Sequence, residues 1–407
     1  MTFNRLFRLV WGGDVDRALR PVLAVSLAGS IAGSAGYPFI GIWALRHLHA
    51  GKDRLAFAYL VGAIASAVVG YLGGHLSDRI GRRPMILAGW GGQALCAPAF
   101  FLVGTNIWAG LVLIGAFFAL GALGNAADQA IVADLVPPER HEAAYASVRV
   151  AANLGVAIGP PLGGLLLIGS DWNRLWLGVT VFAVVAWSIG YRWVPSGGSY
   201  VSDEPPRTGS LRLILRDRPF LLFMASSMLA TMTYIAYETL LPISLATSHG
   251  ISPATWGFIV IVNPVFVTLL QLRLTQAAAG IPAAVKLGVA MPLMGVPFLL
   301  LDVAGGIGIV VIVVVLFVVG EMLWVPTSQA VVAAMAPADV RGTYMGVFGS
   351  SWSVGWALTP FLGLQVSHAY GDGTMWACVA TVGVLAGIFG LLAVRGRSSR
   401  PAVASPA

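Results

Sequence analysis

The sequence carries little charge and few residues of the types that catalytic and metal sites use. Only 10% of its 407 residues are Asp, Glu, Lys or Arg, against about 25% in a soluble domain. The two cysteines, Cys96 and Cys378, each lie in a long apolar stretch, so neither a disulfide nor a metal site is indicated. The sequence also has no glycine-rich phosphate loop, paired-histidine metal motif or nucleophile elbow, which argues against an enzyme.

Long apolar segments make up most of the chain. Hydrophobic residues account for 57% of it, and its mean hydropathy is +0.83. Because about 20 apolar residues cross a bilayer as a helix, we predict an all-α polytopic membrane protein with about twelve transmembrane helices. Only Gly305, Gly306 and Gly308 separate the ninth span from the tenth. The candidate spans lie near residues 20–46, 55–76, 84–104, 107–134, 142–168, 173–194, 219–247, 252–272, 284–302, 306–335, 342–366 and 374–394.

The distribution of basic residues predicts the orientation. With twelve spans, 19 of the 24 Lys and Arg residues fall on the side that the two termini share. Loops rich in these residues are cytoplasmic, so both termini are expected in the cytoplasm. The net charge of +7 follows from this bias and does not indicate a nucleic-acid partner.

The chain divides into two similar halves. Residues 195–218 form the only long polar stretch away from the ends. We therefore predict a six-helix bundle over residues 1–194, a cytoplasmic linker over 195–218, and a second six-helix bundle over 219–407 with a short cytoplasmic tail. At an offset of about 200 residues, the matching pairs are Gln129 and Gln329, Pro138 and Pro337, Tyr145 and Tyr344, Pro160 and Pro360, and Gly163 and Gly363.

A polar turn joins the second and third spans. It reads Gly-His-Leu-Ser-Asp-Arg-Ile-Gly-Arg-Arg-Pro from Gly74 to Pro84, where Gly81 permits a positive φ and Pro84 suits a first helical turn. The string resembles the signature between the second and third helices of the major facilitator superfamily. The resemblance implies a transporter of two pseudo-symmetric bundles with substrate bound near the midplane. The matching residues are Gly74, Leu76, Asp78, Arg79, Gly81, Arg82 and Arg83.

The same resemblance implies a conformational switch at the cytoplasmic side. The motif residues would act together with Asp134, which closes the fourth span. We expect Asp78, Arg79, Arg82 and Asp134 to form a charge cluster that stabilises the outward-open state and loosens on switching. The alternative is a set of solvated loop charges that contribute little.

The fifth span contains a second motif, Asn-Leu-Gly-Val-Ala-Ile-Gly-Pro-Pro-Leu-Gly-Gly. Glycines four residues apart let two helices approach closely, and prolines remove backbone donors and bend the helix. Plain helix packing is one interpretation. The full pattern resembles the fifth-helix motif of proton-coupled exporters, which favours export. Its residues are Gly155, Gly159, Pro160, Gly163 and Gly164.

Four charged residues fall inside predicted spans: Asp128, Arg149, Glu238 and Glu321. Charges at membrane depth are costly and are functional candidates by default. Many proton-coupled relatives carry an arginine in the fourth span, where this chain has Leu120. Asp128 and Arg149 are at similar depths and are expected to pair, either as a structural ion pair or in proton coupling. Glu238 and Glu321 have no basic residue in their own spans, so they are the leading candidates for proton coupling.

Aromatic residues in the spans give weaker indications. The first, fourth, seventh and tenth helices line the cavity in the fold that the resemblance implies. Tyr37 in the first span, Tyr234 and Tyr237 in the seventh, and Trp324 in the tenth are therefore candidates for the substrate cavity. Each of them is also explained by packing or by anchoring at the membrane interface.

Taken with the resemblance, these features predict a secondary active transporter similar to the drug:proton antiporters. It would act as a monomer in a bacterial inner membrane and export a small amphipathic compound in exchange for protons. No cofactor or metal is implied, because the proton gradient would drive transport. A proton-coupled symporter or facilitator for a sugar, organic acid or peptide is the first alternative. A transporter-like receptor or a membrane enzyme is the remote one.

Overall fold

The chain is built from long helices. The computed structural model describes residues 17–136, 141–169, 171–195, 214–303, 306–336 and 341–398, and this part contains helices and no β-strand. We number its long helical segments α1 to α12. They are α1 (Arg20–Arg46), α2 (Lys52–Ile80), α3 (Arg82–Leu102), α4 (Ile107–Leu135), α5 (His141–Leu166), α6 (Trp172–Trp193), α7 (Arg218–Ser248), α8 (Pro253–Ile259, then Val262–Ala277), α9 (Ala283–Val303), α10 (Ile307–Met335), α11 (Arg341–Tyr370) and α12 (Asp372–Ser398).

The lengths and compositions of these helices fit membrane spans. In the part of the chain that the structure describes, ten are long and apolar enough to cross a membrane. The other two, α5 and α11, have 26 and 30 residues, more than the about 20 that a span requires. The prediction of an all-α polytopic membrane protein is confirmed. The turn between the ninth and tenth spans is present too, because Gly306 has a φ of 104° and caps α10.

The eighth span differs from the continuous helix predicted over residues 252–272. α8 stops at Ile259 and resumes at Val262. Pro264 has no backbone N–H, so the carbonyl of Val260 cannot accept the usual helical hydrogen bond. That carbonyl accepts instead from the N–H of Asn263, at 3.2 Å.

The described residues form two compact units. The N-terminal unit contains the described residues up to 195 and also Ser252–Pro264, which includes the first segment of α8. The C-terminal unit contains residues 214–251 and 265–398. Within the N-terminal unit α1 packs on α5 and α6, and α3 packs on α4 and α6. Within the C-terminal unit α7 packs on α11 and α12, and α9 packs on α10 and α12.

The two cores show that the internal repeat is structural. The four helix pairs named for one unit correspond to the four named for the other, six helices further along the chain. In the N-terminal unit the ring of Trp176 stacks on Phe100, with centroids 3.9 Å apart. In the C-terminal unit Trp376, at an offset of 200 residues, stacks on Phe298 at 4.7 Å. Buried stacked pairs of this size supply much of the packing energy of a helical core.

Candidate functional site

The turn between α2 and α3 positions the switch motif. Gly81 ends α2 and precedes α3 with a φ of 98°, as its sequence context predicts. This turn places Arg82 at the start of α3, where its Nε lies 2.9 Å from Oδ2 of Asp134 near the end of α4. The same guanidinium donates to Oγ of Ser77 on α2, at 3.1 Å. One arginine therefore connects the ends of three helices.

The rest of the predicted charge cluster is only partly present. Arg79 is exposed and forms no ion pair or hydrogen bond within the described residues. Because the side chain of Asp78 lies outside them, the inclusion of Arg79 in the cluster stays a prediction. Arg79 lies in the last turn of α2, where a positive charge is favoured by the helix dipole. Arg83 donates to the carbonyl of Tyr191 on α6, and its guanidinium lies 5.8 Å from the centre of that ring. Gly74 lies within α2, and the side chain of Asp78 falls outside the described part of the chain.

The glycines of the fifth-span motif form the contact between α5 and α1. A Cβ on Gly159 would overlap Oγ of Ser34 and lie 2.7 Å from the backbone nitrogen of Ala35. A Cβ on Gly163 would lie 2.6 Å from the ring of Phe39. The hydroxyl of Ser34 also donates to the carbonyl of Gly155, at 3.2 Å. A side chain at these positions is excluded by backbone as well as by side-chain atoms.

The end of the same motif contacts α8. A Cβ on Gly164 would lie 3.0 Å from Cα of Gly257, which belongs to the first segment of α8. A Cβ on Gly257 would in turn lie 2.7 Å from the carbonyl oxygen of Pro160. Within the N-terminal unit, the motif therefore holds two helices against α5. α5 itself continues through Pro160 and Pro161 without interruption.

The expected pair between Asp128 and Arg149 is not formed, and this expectation is wrong. Asp128 is 3% exposed, and its Oδ2 accepts from Nε1 of Trp90 on α3, at 3.1 Å. Arg149 is exposed on α5 and has no ion-pair or hydrogen-bond partner among the described residues. The physical reason is the close approach of α3 to α4, which directs the carboxyl group towards α3. A Cβ on Gly89 would overlap the backbone of Gly124 there.

Most cavity candidates of the second half lie together in the C-terminal unit. The ring of Tyr234 lies 6.2 Å from Trp324 on α10 and 5.1 Å from Trp352 on α11, and the two tryptophans are 6.0 Å apart. We call these three rings the aromatic trio. Tyr234 also interacts electrostatically with the partly buried carboxyl groups of Glu238 and Glu321. The unit thus brings aromatic surface and two acidic groups to one place.

Two further cavity candidates, Tyr237 and Tyr37, are not members of the aromatic trio. Tyr237 stacks on Phe317 of α10, with ring centroids 4.2 Å apart, and is buried. Tyr37 belongs to the N-terminal unit, where it packs against Phe118 at 5.4 Å. Trp352 was not among the sequence candidates because α11 was not expected to line the cavity. Its signal is an aromatic stripe at helical spacing, formed by Phe348, Trp352 and Trp356.

No metal centre accompanies these groups in the described part of the chain, where no three His, Cys, Asp or Glu residues are placed to hold a metal ion. The polar groups that the structure assembles are carboxyl groups, hydroxyls and the Arg82–Asp134 ion pair, between closely packed helices. The model of the Major Facilitator Superfamily matches residues 22–360. The chain belongs to this superfamily. It is a membrane transporter and not an enzyme, and the transporters of the superfamily bind small-molecule substrates.

The relatives that this transporter resembles are distant but match over most of its length. It is 21% identical over 383 residues to a Na(+), Li(+), K(+)/H(+) antiporter of Planococcus maritimus, covering 86% of this chain and 89% of that one. It is 26% identical over 321 residues to the multidrug resistance protein MdtH of Edwardsiella ictaluri, covering 75% and 77%. The crystal structure of the peptide transporter POT superposes with a TM-score of 0.75 at 15% identity, covering 93% and 94%. At that identity, the last similarity shows the fold alone.

Proposed function

We propose that this transporter is a proton-coupled exporter of small amphipathic compounds in a bacterial inner membrane. The observation that carries the proposal is the electrostatic interaction of Tyr234, a member of the aromatic trio, with Glu238 and Glu321. Aromatic faces bind flat apolar groups and attract cations. Carboxyl groups at membrane depth bind protons or positive charge. A site with both properties lets substrate and protons compete for the same groups.

Exchange follows from this competition. A proton that binds one of the carboxyl groups removes the charge that retains the substrate, and a substrate that binds displaces the proton. Each ligand then stabilises its own state of the transporter, so the inward proton gradient drives the compound outwards. Transport in this scheme needs no cofactor, and one chain forms the complete unit. Both termini lie in the cytoplasm, in agreement with the excess of Lys and Arg on that side.

Two further findings support export over uptake. The glycine motif of α5 makes the close contacts with α1 and α8 described above. The name of one relative is that of a cation/proton antiporter, which refers to exchange transport, and another relative is named a multidrug resistance protein. The name of the antiporter also makes a monovalent cation an alternative substrate. The vesicle assay described next distinguishes this alternative.

The deciding experiment uses inverted membrane vesicles with an imposed pH gradient. Lipophilic cations, neutral antibiotics, Na⁺, K⁺, sugars and dipeptides are added one at a time, and lumenal pH and substrate uptake are recorded together. We expect uptake of a lipophilic compound coupled to proton release from the lumen. Proton movement with Na⁺ or K⁺ alone would identify a cation antiporter. Accumulation only under the opposite gradient would identify a symporter and overturn the proposal.

A further inference from the structure

Asp128 is a carboxyl group that the proposed function does not use. It lies on α4 inside the N-terminal unit and is 3% exposed. Its Oδ2 accepts from Nε1 of Trp90 on α3, at 3.1 Å. Its Oδ1 is buried and has no hydrogen-bond partner among the residues that the structure describes. A buried acceptor of this kind needs an explanation.

The surroundings of Asp128 are apolar and tightly packed. Trp90 and Ala127 belong to a buried cluster that is formed by α1, α3, α4, α5 and α6. One turn further along α4, Ile131 and Val132 are 0% exposed. Gly89 of α3 lies so close to Gly124 of α4 that a Cβ between them would overlap backbone atoms. The two helices leave no room for a side chain beside this contact.

No positive charge neutralises Asp128 in the described part of the chain, where its only hydrogen-bonding interaction is with Trp90. Arg82 on α3 is paired with Asp134. Arg79 on α2, Arg149 on α5 and Arg192 on α6 are exposed. The side chains of His75, Asp78, His141 and Glu142 are outside the described part. An ionised carboxylate is costly in such a place, whereas a neutral carboxyl group needs only hydrogen bonds.

We infer that Asp128 is a proton-binding site of the N-terminal unit and that it is occupied while α3 and α4 are in close contact. The proton resides on Oδ1, and Oδ2 continues to accept from Trp90. Loss of the proton leaves a charge between two apolar helices and favours their separation. Asp134 lies six residues further along α4, about 9 Å away along the axis, so the proton acts on the helix pair that carries the Arg82–Asp134 switch pair.

This inference is independent of the proposed substrate and of the coupling role of Glu238 and Glu321. The first test is infrared spectroscopy of the purified full-length transporter in lipid at neutral pH. A protonated carboxyl group has a C=O stretching band that an ionised carboxylate lacks. We expect such a band in the wild type and its loss in Asp128→Asn. The matched control Glu238→Gln, in the other unit, should keep that band. Trp90→Phe should shift it to higher frequency, because the carbonyl loses its donor.

The second test measures thermal unfolding as a function of pH. A native state that holds a proton which the unfolded chain releases loses stability as the pH rises. The melting temperature of the wild type should therefore fall more steeply than that of Asp128→Asn between about pH 4, where Asp in the unfolded chain ionises, and neutral pH. A carbonyl band that is the same in wild type and Asp128→Asn would overturn the inference. An Asn variant that is equally destabilised at every pH, or that does not fold, would do so too, because the amide imitates the neutral group.

Discussion

Tyr234 interacts with two acidic residues on different helices, Glu238 on α7 and Glu321 on α10. At the residue scale, this position beside the aromatic trio separates the two glutamates from Asp128, which is enclosed by α3 and α4. Proton coupling and proton-dependent packing are therefore expected at different residues.

Replacing either glutamate should uncouple transport. Glu238→Gln or Glu321→Gln fixes a neutral side chain of the same size, so proton-driven export should be abolished while substrate binding and downhill exchange persist. Proton release and substrate uptake in inverted vesicles measure the two properties separately. We expect the larger effect at Glu321, which is closer to the middle of its span. Wild-type proton release in both variants would exclude both residues as the coupling site.

Trp352 should contribute to substrate affinity, since its ring completes the aromatic trio. Aromatic contacts of this kind are worth about 0.5–1.5 kcal/mol beyond the buried area, so Trp352→Ala should weaken binding by about two- to tenfold. Trp352→Phe keeps a flat ring and should lose less. Equilibrium binding of a labelled substrate to the purified protein measures the change. Equal affinities in the Ala variant and the wild type would limit Trp352 to packing.

At the scale of elements, α5 is held by its glycines. Its contact with α1 has no space for a side chain at Gly159, whereas Gly33 on α1 has no atom within 4 Å of its would-be Cβ. The same Gly→Ala substitution can therefore be compared at a closely packed position, Gly159, and at a position with free space, Gly33. Helix–helix packing in membranes depends on such small residues.

The Gly159→Ala variant should be destabilised by about 1–3 kcal/mol, as overpacked positions are. Gly33→Ala is the control and should unfold at the wild-type temperature. Gly159→Leu should further impair export or make vesicles leak protons, because α1 and α8 both depend on the position of α5. Thermal unfolding and passive proton flux are the measurements. Unchanged coupling in the Leu variant would reduce the motif to ordinary packing.

The Arg82–Asp134 pair connects α3 to α4 at the end where α2 stops. Both side chains are mostly buried, being 20% and 18% exposed, so removing one partner leaves the other charge uncompensated and lowers stability. Arg82→Ala should therefore reduce the amount of folded protein as well as strongly reduce transport per molecule. The charge swap Arg82→Asp with Asp134→Arg should restore part of the rate. Arg174→Ala breaks the exposed pair with Asp171 on α6 and serves as control. The measurement is the transport rate of each variant at equal membrane abundance. A wild-type rate in Arg82→Ala would exclude a role of the Arg82–Asp134 pair in switching.

At the scale of the whole molecule, two units with corresponding helix pairs share one chain. The Trp176–Phe100 and Trp376–Phe298 stacks occupy matching places in the two cores. The units have also diverged in polar content: Asp128 in the N-terminal unit corresponds at the same offset to Ser328, which is buried. A duplicated packing frame with different polar groups fits a division of labour between the halves.

The orientation of the molecule gives a further expected outcome. A reporter that is active only in the cytoplasm should be active when fused to either terminus, because 19 of 24 basic residues lie on the side of the termini. The same reporter inserted at Gly104, in the turn between α3 and α4, should be inactive. Activity at Gly104 combined with silence at the termini would reverse the assigned orientation.

The sequence alone determined the class of fold, the number of spans, the turn at Gly81 and the repeat. Length, hydropathy and a positive φ at glycine are local properties, and a bilayer leaves a long apolar segment little choice but a helix. The hydropathy pattern did not predict the break in α8, although the missing backbone N–H of Pro264 accounts for it. The partners of charged and aromatic side chains depend on which helix faces come together. Only the tertiary structure therefore placed Asp128 against Trp90 instead of Arg149, left Arg79 exposed, and brought Trp352 to Tyr234.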